Sequence, residues 1–176
     1  MKKAFIARYR MPKGLADLLM SSDGEALTGL WFDGSSDAAK HRGDFVARDL
    51  PIFRETADWL DSYFAGRPSS KLPRCRIDGL TPFRKMVIKE MLKIPFGETV
   101  FYGDIATRIA KRCGRGKMFA QAGGGAVGWN PLCVMILCHR VVGSDGSLVG
   151  YGGGLSNKAA LLAHEARNTL RSPGGV

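Results

Sequence analysis

The sequence predicts an α+β fold, with short strands and one helix in the first half and mostly helices in the second. Two apolar segments, Phe5–Tyr9 and Leu27–Phe32, are separated by turn residues and are typical of strands. From Pro51 to Phe64 apolar residues recur at helical spacing, and Gly66-Arg67-Pro68 ends the pattern. From Thr81 onward, helix signals dominate.

A polar connector, Ser69 to Gly79, separates these two halves and marks the predicted domain boundary. The chain has 176 residues, which is enough for two small domains. We therefore predict an N-terminal α/β domain over residues 1–78 and a C-terminal domain over residues 79–176. Within the first domain, the residues from Ser21 to Gly24 are predicted to form a turn.

Two helices around a tight turn are predicted at the start of the second domain. Thr81 is a good N-cap, and Pro82 suits the first helical position. One face of the first helix carries Phe83, Val87, Met91 and Ile94, and one face of the second carries Ile105, Ala106, Ile109 and Ala110. Pro95-Phe96-Gly97 forms the turn between them, and basic residues follow. This order is typical of a helix-turn-helix, although the signal is weak by itself.

The net charge of +10 is concentrated in the second half of the chain. Residues 1–80 carry 13 basic and 11 acidic residues, whereas residues 81–176 carry 13 basic and 5 acidic residues. This asymmetry indicates a polyanionic partner, with DNA, RNA and an acidic membrane surface all eligible. A solvated basic surface without a partner is the alternative that charge alone leaves open.

The sequence predicts a cytoplasmic protein that has no metal and no disulfide framework. No apolar run is long enough to span a bilayer, and Arg8 and Arg10 interrupt what would be the core of a signal peptide. No two of the four cysteines form a Cys-x-x-Cys pair, and the histidines lack zinc-finger spacing. We expect the cysteines to be reduced. They are Cys75, Cys113, Cys133 and Cys138.

A cysteine next to a histidine, Cys138-His139, is the candidate nucleophile. The apolar run Val134–Leu137 before it is predicted to be a short strand. A free thiol is only a few per cent thiolate at neutral pH, so a general base would activate it. Neighbours in an extended segment point to opposite faces, so His139 would need a bridging water or a sharp bend. Glu165, on the buried side of a closing helix, could orient the other nitrogen of His139.

Each of these residues also has a structural interpretation. An isolated Cys-His pair is more often a buried cysteine and a hydrogen-bonded histidine, and Glu165 alone would usually be a surface charge. Tyr102 and Tyr151 would usually pack in the core, and Asn130 would be a turn residue before proline. Cys133 is either inert packing or a second thiol in the pocket. The closing helix is predicted to bury Leu155, Ala159, Leu162 and Ala166.

Taken together, these segments resemble the O6-alkylguanine-DNA alkyltransferases from about Thr81 to Glu165, in order and at that family's spacings. The matching segments are Ile94–Thr99, Tyr102–Ala106, Asn130-Pro131, Cys138–Val142, Ser144–Gly146, Gly150-Tyr151, Gly153–Leu155, Lys158 and Leu161-Leu162 with Glu165. The first half is similar more loosely, through Trp59-Leu60 and Tyr63–Gly66. Each piece is weak evidence, but the ordered set is specific.

The resemblance implies a ribonuclease H-like N-terminal domain and a winged-helix-like C-terminal domain. It implies that Cys138 irreversibly accepts an alkyl group from O6 of guanine, or from O4 of thymine, in double-stranded DNA. His139 would take the thiol proton through a water, and Glu165 would orient His139. Tyr102 would donate toward the departing base, Asn130 would brace the active-site turn, and Tyr151 with Gly152 would cover the base pocket. No cofactor is implied, and the protein would act as a monomer.

The resemblance also implies a surface that contacts DNA and everts the damaged base. The residues of this surface would be Thr81, Arg115, Gln121, Ala122, Gly123, Gly125, Ala126, Arg140 and Val141. The glycines between 121 and 128 make a poor helix in isolation, but small residues let a backbone approach the minor groove closely.

Three positions depart from the family pattern. Leu137 stands where proline usually precedes the cysteine, Gln121 where an arginine fills the gap left by the everted base, and Gly123 where an apolar residue is usual. These departures motivate a rival hypothesis, a protein that binds damaged bases with little or no transfer. The retained Cys138 argues against it. An unrelated thiol hydrolase using Cys, His and Glu is the third hypothesis.

Overall fold

The computed structural model describes residues 4–113 and 125–171. Its N-terminal part is a four-stranded sheet covered by one helix. The elements are β1 (Ala4–Tyr9), β2 (Leu18–Ser22), β3 (Leu27–Phe32), a 3₁₀ helix (Ser36–Lys40), β4 (Phe45–Ala47) and α1 (Pro51–Phe64). The strand order is β3-β2-β1-β4, antiparallel except for the parallel pair β1 and β4. The predicted strands β1 and β3 and the helix α1 are confirmed.

The strand β2 was not predicted, because its last two residues look like turn formers. Ser21 and Ser22 belong to the strand and are buried. Their hydroxyl groups are satisfied locally: Ser22 Oγ donates to Ala26 O, and Ser21 Oγ shares a hydrogen bond with Thr28 Oγ1. Serine is therefore tolerated in this buried strand.

Helix α1 turns its buried face toward the rest of the protein. Proline at its first position begins the helix, and Gly66, with a φ of 77°, follows its end. The face consists of Ile52, Phe53, Thr56, Trp59, Leu60 and Tyr63. Tyr63, near the C-terminal end, reaches the candidate site.

The C-terminal part contains three named helices and a short two-stranded sheet. They are α2 (Pro82–Met91), β5 (Val100–Phe101), α3 (Tyr102–Cys113), β6 (Val141–Val142) and α4 (Leu155–Arg171). The predicted cap is confirmed, since Thr81 Oγ1 accepts a hydrogen bond from Arg84 N. The predicted turn is confirmed at Gly97, whose φ is 81°. Helices α2 and α3 pack against each other, and β5 pairs in parallel with β6.

The predicted strand at Val134–Leu137 is wrong. These residues form buried turns that end in a 3₁₀ helix, Cys138–Arg140. Val134 has a φ of 68°, and Ile136 N donates to Leu132 O, as in a tight turn. An apolar run without periodicity indicates burial but not the type of backbone structure.

The predicted buried face of α4 is wrong in part. Leu155, Ala159 and Ala166 are exposed and Leu162 is half-buried. Glu165 is buried as predicted, and Lys158 and Leu161 are buried with it. A helix buries charged side chains only when they have partners, and the site described below supplies them.

The buried residues of both halves join one hydrophobic core that runs from Leu18 in β2 to Leu161 in α4. Backbone pairing also crosses between the halves, because Leu30 N donates to Pro131 O and Cys133 N donates to Leu30 O. The boundary at 78/79, the ribonuclease H-like topology and the winged-helix-like topology stay predictions. Within the two described ranges, no helix is long and apolar enough to cross a membrane.

Candidate active site

Cys138 begins the short 3₁₀ helix and is 5% exposed. The turn before it is braced by Asn130. Asn130 Nδ2 donates to Ile136 O at 3.0 Å and to Cys138 Sγ at 2.7 Å. Asn130 Oδ1 accepts from Leu132 N at 2.9 Å. One buried amide therefore fixes both the backbone of the turn and the position of the sulfur.

At neutral pH, Cys138 is a protonated thiol. Burial raises its pKa to about 11, and the charge of Asp37 acts in the same direction. The hydrogen bond from Asn130 and the charges of Lys158 and Lys40 oppose this effect. Any chemistry that uses the thiolate must therefore remove a proton during the reaction.

His139 is positioned to act as that base. Its side chain is fully buried, and Nε2 lies 2.8 Å from Glu165 Oε1. We assign the proton to Nε2, since a carboxylate oxygen accepts only from N–H, which leaves the lone pair on Nδ1. Nδ1 is buried and has no hydrogen-bond partner among the described residues. Burial lowers the pKa of His139, so the imidazole is neutral at pH 7.

Cys138 and His139 are neighbours in a 3₁₀ helix, where successive side chains diverge by about 120°. This differs from the extended segment that the sequence predicted, but the consequence is the same. Side chains that diverge in this way are not expected to face each other, so proton transfer from Sγ to Nδ1 through a water stays a prediction.

Glu165 is held by a dense set of donors. Its Oε2 accepts from Arg140 Nε at 2.8 Å and from Gly97 N at 3.0 Å. Its Oε1 accepts from His139 and, at 3.0 Å, from Arg140 Nη2. Burial by itself raises the pKa of Glu165, but His139 and Arg140 outweigh it and bring the pKa down to about 2. Glu165 is therefore a permanent anion at physiological pH.

Arg140 and Val141, which the resemblance assigns to substrate or DNA binding, are both buried, with 3% and 0% of their surface exposed. The Arg140 guanidinium pairs with Glu165 and donates to Ile94 O at 2.6 Å. The Val141 carbonyl accepts from Lys158 Nζ at 2.6 Å. In this structure both side chains are buried beneath the site, and binding of substrate or DNA by these residues stays a prediction. The resemblance matched them by sequence, which carries no information on burial.

Lys158 and Tyr63 were not predicted as site residues. The Lys158 side chain is buried, and its Nζ donates to Val141 O and Val149 O. Tyr63 Oη donates to Glu165 Oε1 at 2.6 Å. The sequence did offer a signal for Lys158, because this residue is among the segments that resemble the alkyltransferase family. Tyr63 lies on the buried face of an amphipathic helix, where a tyrosine is usually only packing.

Tyr102 and Tyr151 lie close enough to Cys138 to interact with it electrostatically, and their roles toward the base stay predictions. Tyr102, half-buried at the start of α3, donates to Val149 O at 3.1 Å. Burial and the nearby Cys138 raise the pKa of Tyr102 to about 12, so its hydroxyl group keeps its proton. Tyr151 Oη is buried, and burial, followed by Cys133 and Cys138, raises the pKa of Tyr151 well above its ordinary value. Both phenols therefore keep their protons at neutral pH.

Gly152 lies against the 3₁₀ helix Ser36–Lys40. Its carbonyl accepts from Asp37 N at 3.2 Å and from Ser36 Oγ at 2.9 Å. A Cβ at this position would collide with the Asp37 carboxylate, so only glycine fits. The N-terminal part of the chain therefore holds the loop that carries Tyr151.

The predicted DNA-contact residues are only partly within the described ranges. Gly125 is exposed, but Ala126 is 8% exposed and belongs to the core, which contradicts a contact through its side chain. Thr81 is exposed and caps α2. The predictions for Arg115, Gln121, Ala122 and Gly123 lie outside the described residues. Among the described residues, no group of three or more His, Cys, Asp or Glu side chains could hold a metal ion.

The amino-acid sequence of this chain is similar to those of known proteins. Residues 82–167 match the family model described as 6-O-methylguanine DNA methyltransferase, DNA binding domain. The methylated-DNA–protein-cysteine methyltransferase of Mycobacterium leprae is 33% identical over 92% of this chain and 93% of that protein. The Haemophilus influenzae protein of the same name is 35% identical over 88% of this chain and 83% of its own length.

A solved structure agrees with these relatives. The crystal structure of Mycobacterium tuberculosis OGT in complex with DNA has a TM-score of 0.76 and 34% identity, covering 93% of this chain and 94% of the other. Similarity of this extent in sequence and in fold makes the resemblance a family relationship. The chain belongs to the methylated-DNA–protein-cysteine methyltransferase family.

Proposed function

We propose that this protein repairs DNA directly, by moving an alkyl group from O6 of guanine onto its own Cys138. The observation that carries this proposal is the placement of the Cys138 sulfur. It is held by Asn130 next to a buried, neutral His139 whose far nitrogen is bonded to Glu165. This is the arrangement that activates a thiol of high pKa for a single nucleophilic attack.

The chemistry proceeds by displacement at carbon. The thiol proton passes through water to His139 Nδ1, and the resulting imidazolium is stabilised by Glu165. The sulfur forms a bond to the alkyl carbon while the bond from that carbon to O6 breaks, and the electron pair leaves with guanine. The Tyr102 hydroxyl, whose raised pKa keeps it protonated, would turn from Val149 O to donate toward the base as the base acquires this charge. The product is a thioether, which nothing in the site expels, so each molecule reacts once.

Access to the alkyl group requires that the base leave the DNA stack, which costs a few kcal/mol. We propose double-stranded DNA as the partner, with the segment from Gln121 to Gly125 and the residues Thr81 and Arg115 on the contact surface. The net charge of +8 over residues 81–176 supports binding to phosphates. We also propose a cytoplasmic monomer that needs no cofactor, since the nucleophile Cys138 and the base His139 both belong to the chain.

Intact-mass spectrometry tests this function. After incubation with excess duplex containing O6-methylguanine, we expect the protein to gain one methyl group and no second one. Cys138→Ala should gain none while still binding the duplex. Cys133→Ser is the matched control, because serine keeps a donor to Asp37 Oδ2, and it should be methylated like the wild type.

Binding of the modified duplex without a change of mass would replace this proposal with the alternative, a damaged-base binding protein. If the protein neither bound the duplex nor gained mass, the third hypothesis, an unrelated thiol hydrolase that uses Cys, His and Glu, would remain.

A further inference from the structure

Tyr63 connects the N-terminal helix α1 to the proposed active site. Its side chain is 1% exposed, and its hydroxyl group donates to Glu165 Oε1 at 2.6 Å. The same carboxylate oxygen is bonded to His139 Nε2 at 2.8 Å. The Tyr63 hydroxyl oxygen lies 3.4 Å from that nitrogen. The tyrosine and the histidine therefore meet at one carboxylate oxygen.

The Tyr63 ring is fixed from several sides. It stacks on Trp59 with ring centroids 5.8 Å apart and meets Phe96 edge-on at 5.7 Å. His164 Nε2 lies 3.1 Å from the Tyr63 carbonyl oxygen. Because these contacts restrict rotation of the Tyr63 ring, its hydroxyl group has a fixed position and holds the Glu165 carboxylate by its hydrogen bond.

The hydrogen bond from Tyr63 restricts rotation of the Glu165 carboxylate group. Arg140 and Gly97 anchor Oε2, and Arg140 also donates to Oε1 at 3.0 and 3.1 Å, but Oε1 must in addition stay aligned with His139 Nε2 throughout the reaction. A short hydrogen bond to a charged acceptor is among the stronger ones in proteins, and the Tyr63 bond is the shortest that Oε1 receives. It also draws negative charge away from the oxygen that stabilises the imidazolium.

We propose that Tyr63 is a positioning residue for alkyl transfer, which holds Glu165 Oε1 in line with His139 and moderates the basicity of His139. This inference rests on the proposed function of Cys138, His139 and Glu165. Through Tyr63, the N-terminal part of the chain would help to position the catalytic groups, in addition to supporting the loop that carries Tyr151.

The charged and titratable groups around His139 determine the sign of the effect. They are Glu165 and Lys158 from α4, Arg140 from the 3₁₀ helix and Tyr63 from α1, whose ring also packs against His164. Burial lowers the pKa of His139, Glu165 raises it, and Arg140 and Lys158 lower it further. Loss of the Tyr63 hydroxyl leaves more negative charge on Glu165 Oε1, which stabilises the imidazolium. The pKa of His139 then rises, and less neutral base is present at acidic pH.

The experiment measures the single-turnover rate of methyl transfer against pH, using the full chain and a duplex containing O6-methylguanine. Tyr63→Phe keeps the ring and removes only the hydroxyl group. We expect the rate at neutral pH to fall about tenfold and the acidic limb of the profile to move to higher pH. The final yield should remain one methyl group per protein, and the affinity for DNA should not change.

Tyr9→Phe is the matched control. Tyr9 Oη donates to Asp61 Oδ1 at 2.6 Å, so this variant loses a tyrosine–carboxylate bond of equal length that does not involve the site. Its rate profile should coincide with that of the wild type. An NMR titration of His139 in wild type and Tyr63→Phe provides a second readout that is independent of transfer, and it should show a higher pKa in the variant.

The inference is overturned if Tyr63→Phe reacts at the wild-type rate, or if it loses only thermal stability while the acidic limb and the His139 titration stay in place. Failure of the proposed function looks different, because the wild type itself would then acquire no methyl group.

Discussion

Replacement of Glu165 by glutamine is expected to lower the free energy of unfolding by about 3–5 kcal/mol and to slow methyl transfer by about 10²–10⁴-fold. Glu165 is the anion that pairs with the buried Arg140 guanidinium. A neutral amide leaves that cation uncompensated in the interior. The amide also stabilises the His139 imidazolium less than a carboxylate does, so the base loses driving force.

Urea denaturation gives the stability of Glu165→Gln, and single-turnover kinetics gives its rate. Glu90→Gln is a suitable control, because Glu90 is also a buried carboxylate but pairs with Lys93 and Arg112, away from Cys138. Glu90→Gln should lose stability and, where it is folded and saturated with DNA, keep its transfer rate. A Glu165→Gln protein that transfers methyl at the wild-type rate would refute the assigned role.

The same charge cluster predicts how stability depends on pH. The pKa of Glu165 falls from 4.5 to about 2 on folding, so its contribution is fully present above about pH 4.5 and is lost as the pH falls toward 2. That contribution amounts to about 3 kcal/mol. His139, whose pKa is lowered by burial, adds a loss that begins below its ordinary value of 6.5. The Glu165→Gln variant should lack the Glu165 part of this acid sensitivity.

Asn130→Ala is expected to cost about 2–4 kcal/mol of stability and to slow transfer at least about tenfold. The substitution removes the partner of two buried backbone groups, Leu132 N–H and Ile136 C=O. It also removes the hydrogen bond that lowers the pKa of Cys138 and fixes its sulfur. The measurements are thermal denaturation and single-turnover transfer.

Asn130→Asp separates the two roles of this side chain. Aspartate keeps the acceptor for Leu132 N but places a second oxygen where the donor to Ile136 O and Cys138 Sγ was. A negative charge there raises the pKa of the thiol, so we expect Asn130→Asp to react more slowly than Asn130→Ala. Wild-type activity in the aspartate variant would show that the amide donor has no part in the chemistry.

Local signals in the sequence predicted the elements that have clear beginnings and ends. Helix α2 is capped by Thr81, and α1 ends before a glycine with positive φ, so their bounds could be predicted from single residues. The run Val134–Leu137 offered only hydrophobicity, which does not distinguish a strand from buried turns. In α4 the burial of Glu165 was predicted, but three of the four apolar residues assigned to the buried face are exposed, since Lys158 is buried instead and donates to Val141 O.

The site could be predicted as far as the family motifs reach. Cys138, His139, Glu165 and Asn130 do lie together, at hydrogen-bond distances. The role of Arg140 depends on its burial, and that of Tyr63 on a contact across 102 positions in the chain. Neither burial nor such a contact can be derived from spacing, since both are set by how the halves pack.

The most direct test of the central claim is to locate the transferred methyl group within the protein. Trypsin cleaves after Lys117 and Arg140, so Cys133 and Cys138 fall in one peptide, and fragmentation between them must distinguish the two. Cys133 is fully buried, and burial raises the pKa of its thiol well above the ordinary value. After reaction with O6-methylguanine duplex, the account predicts the methyl group on Cys138 and an unmodified Cys133. A methyl group on Cys133 or on any other residue would contradict it.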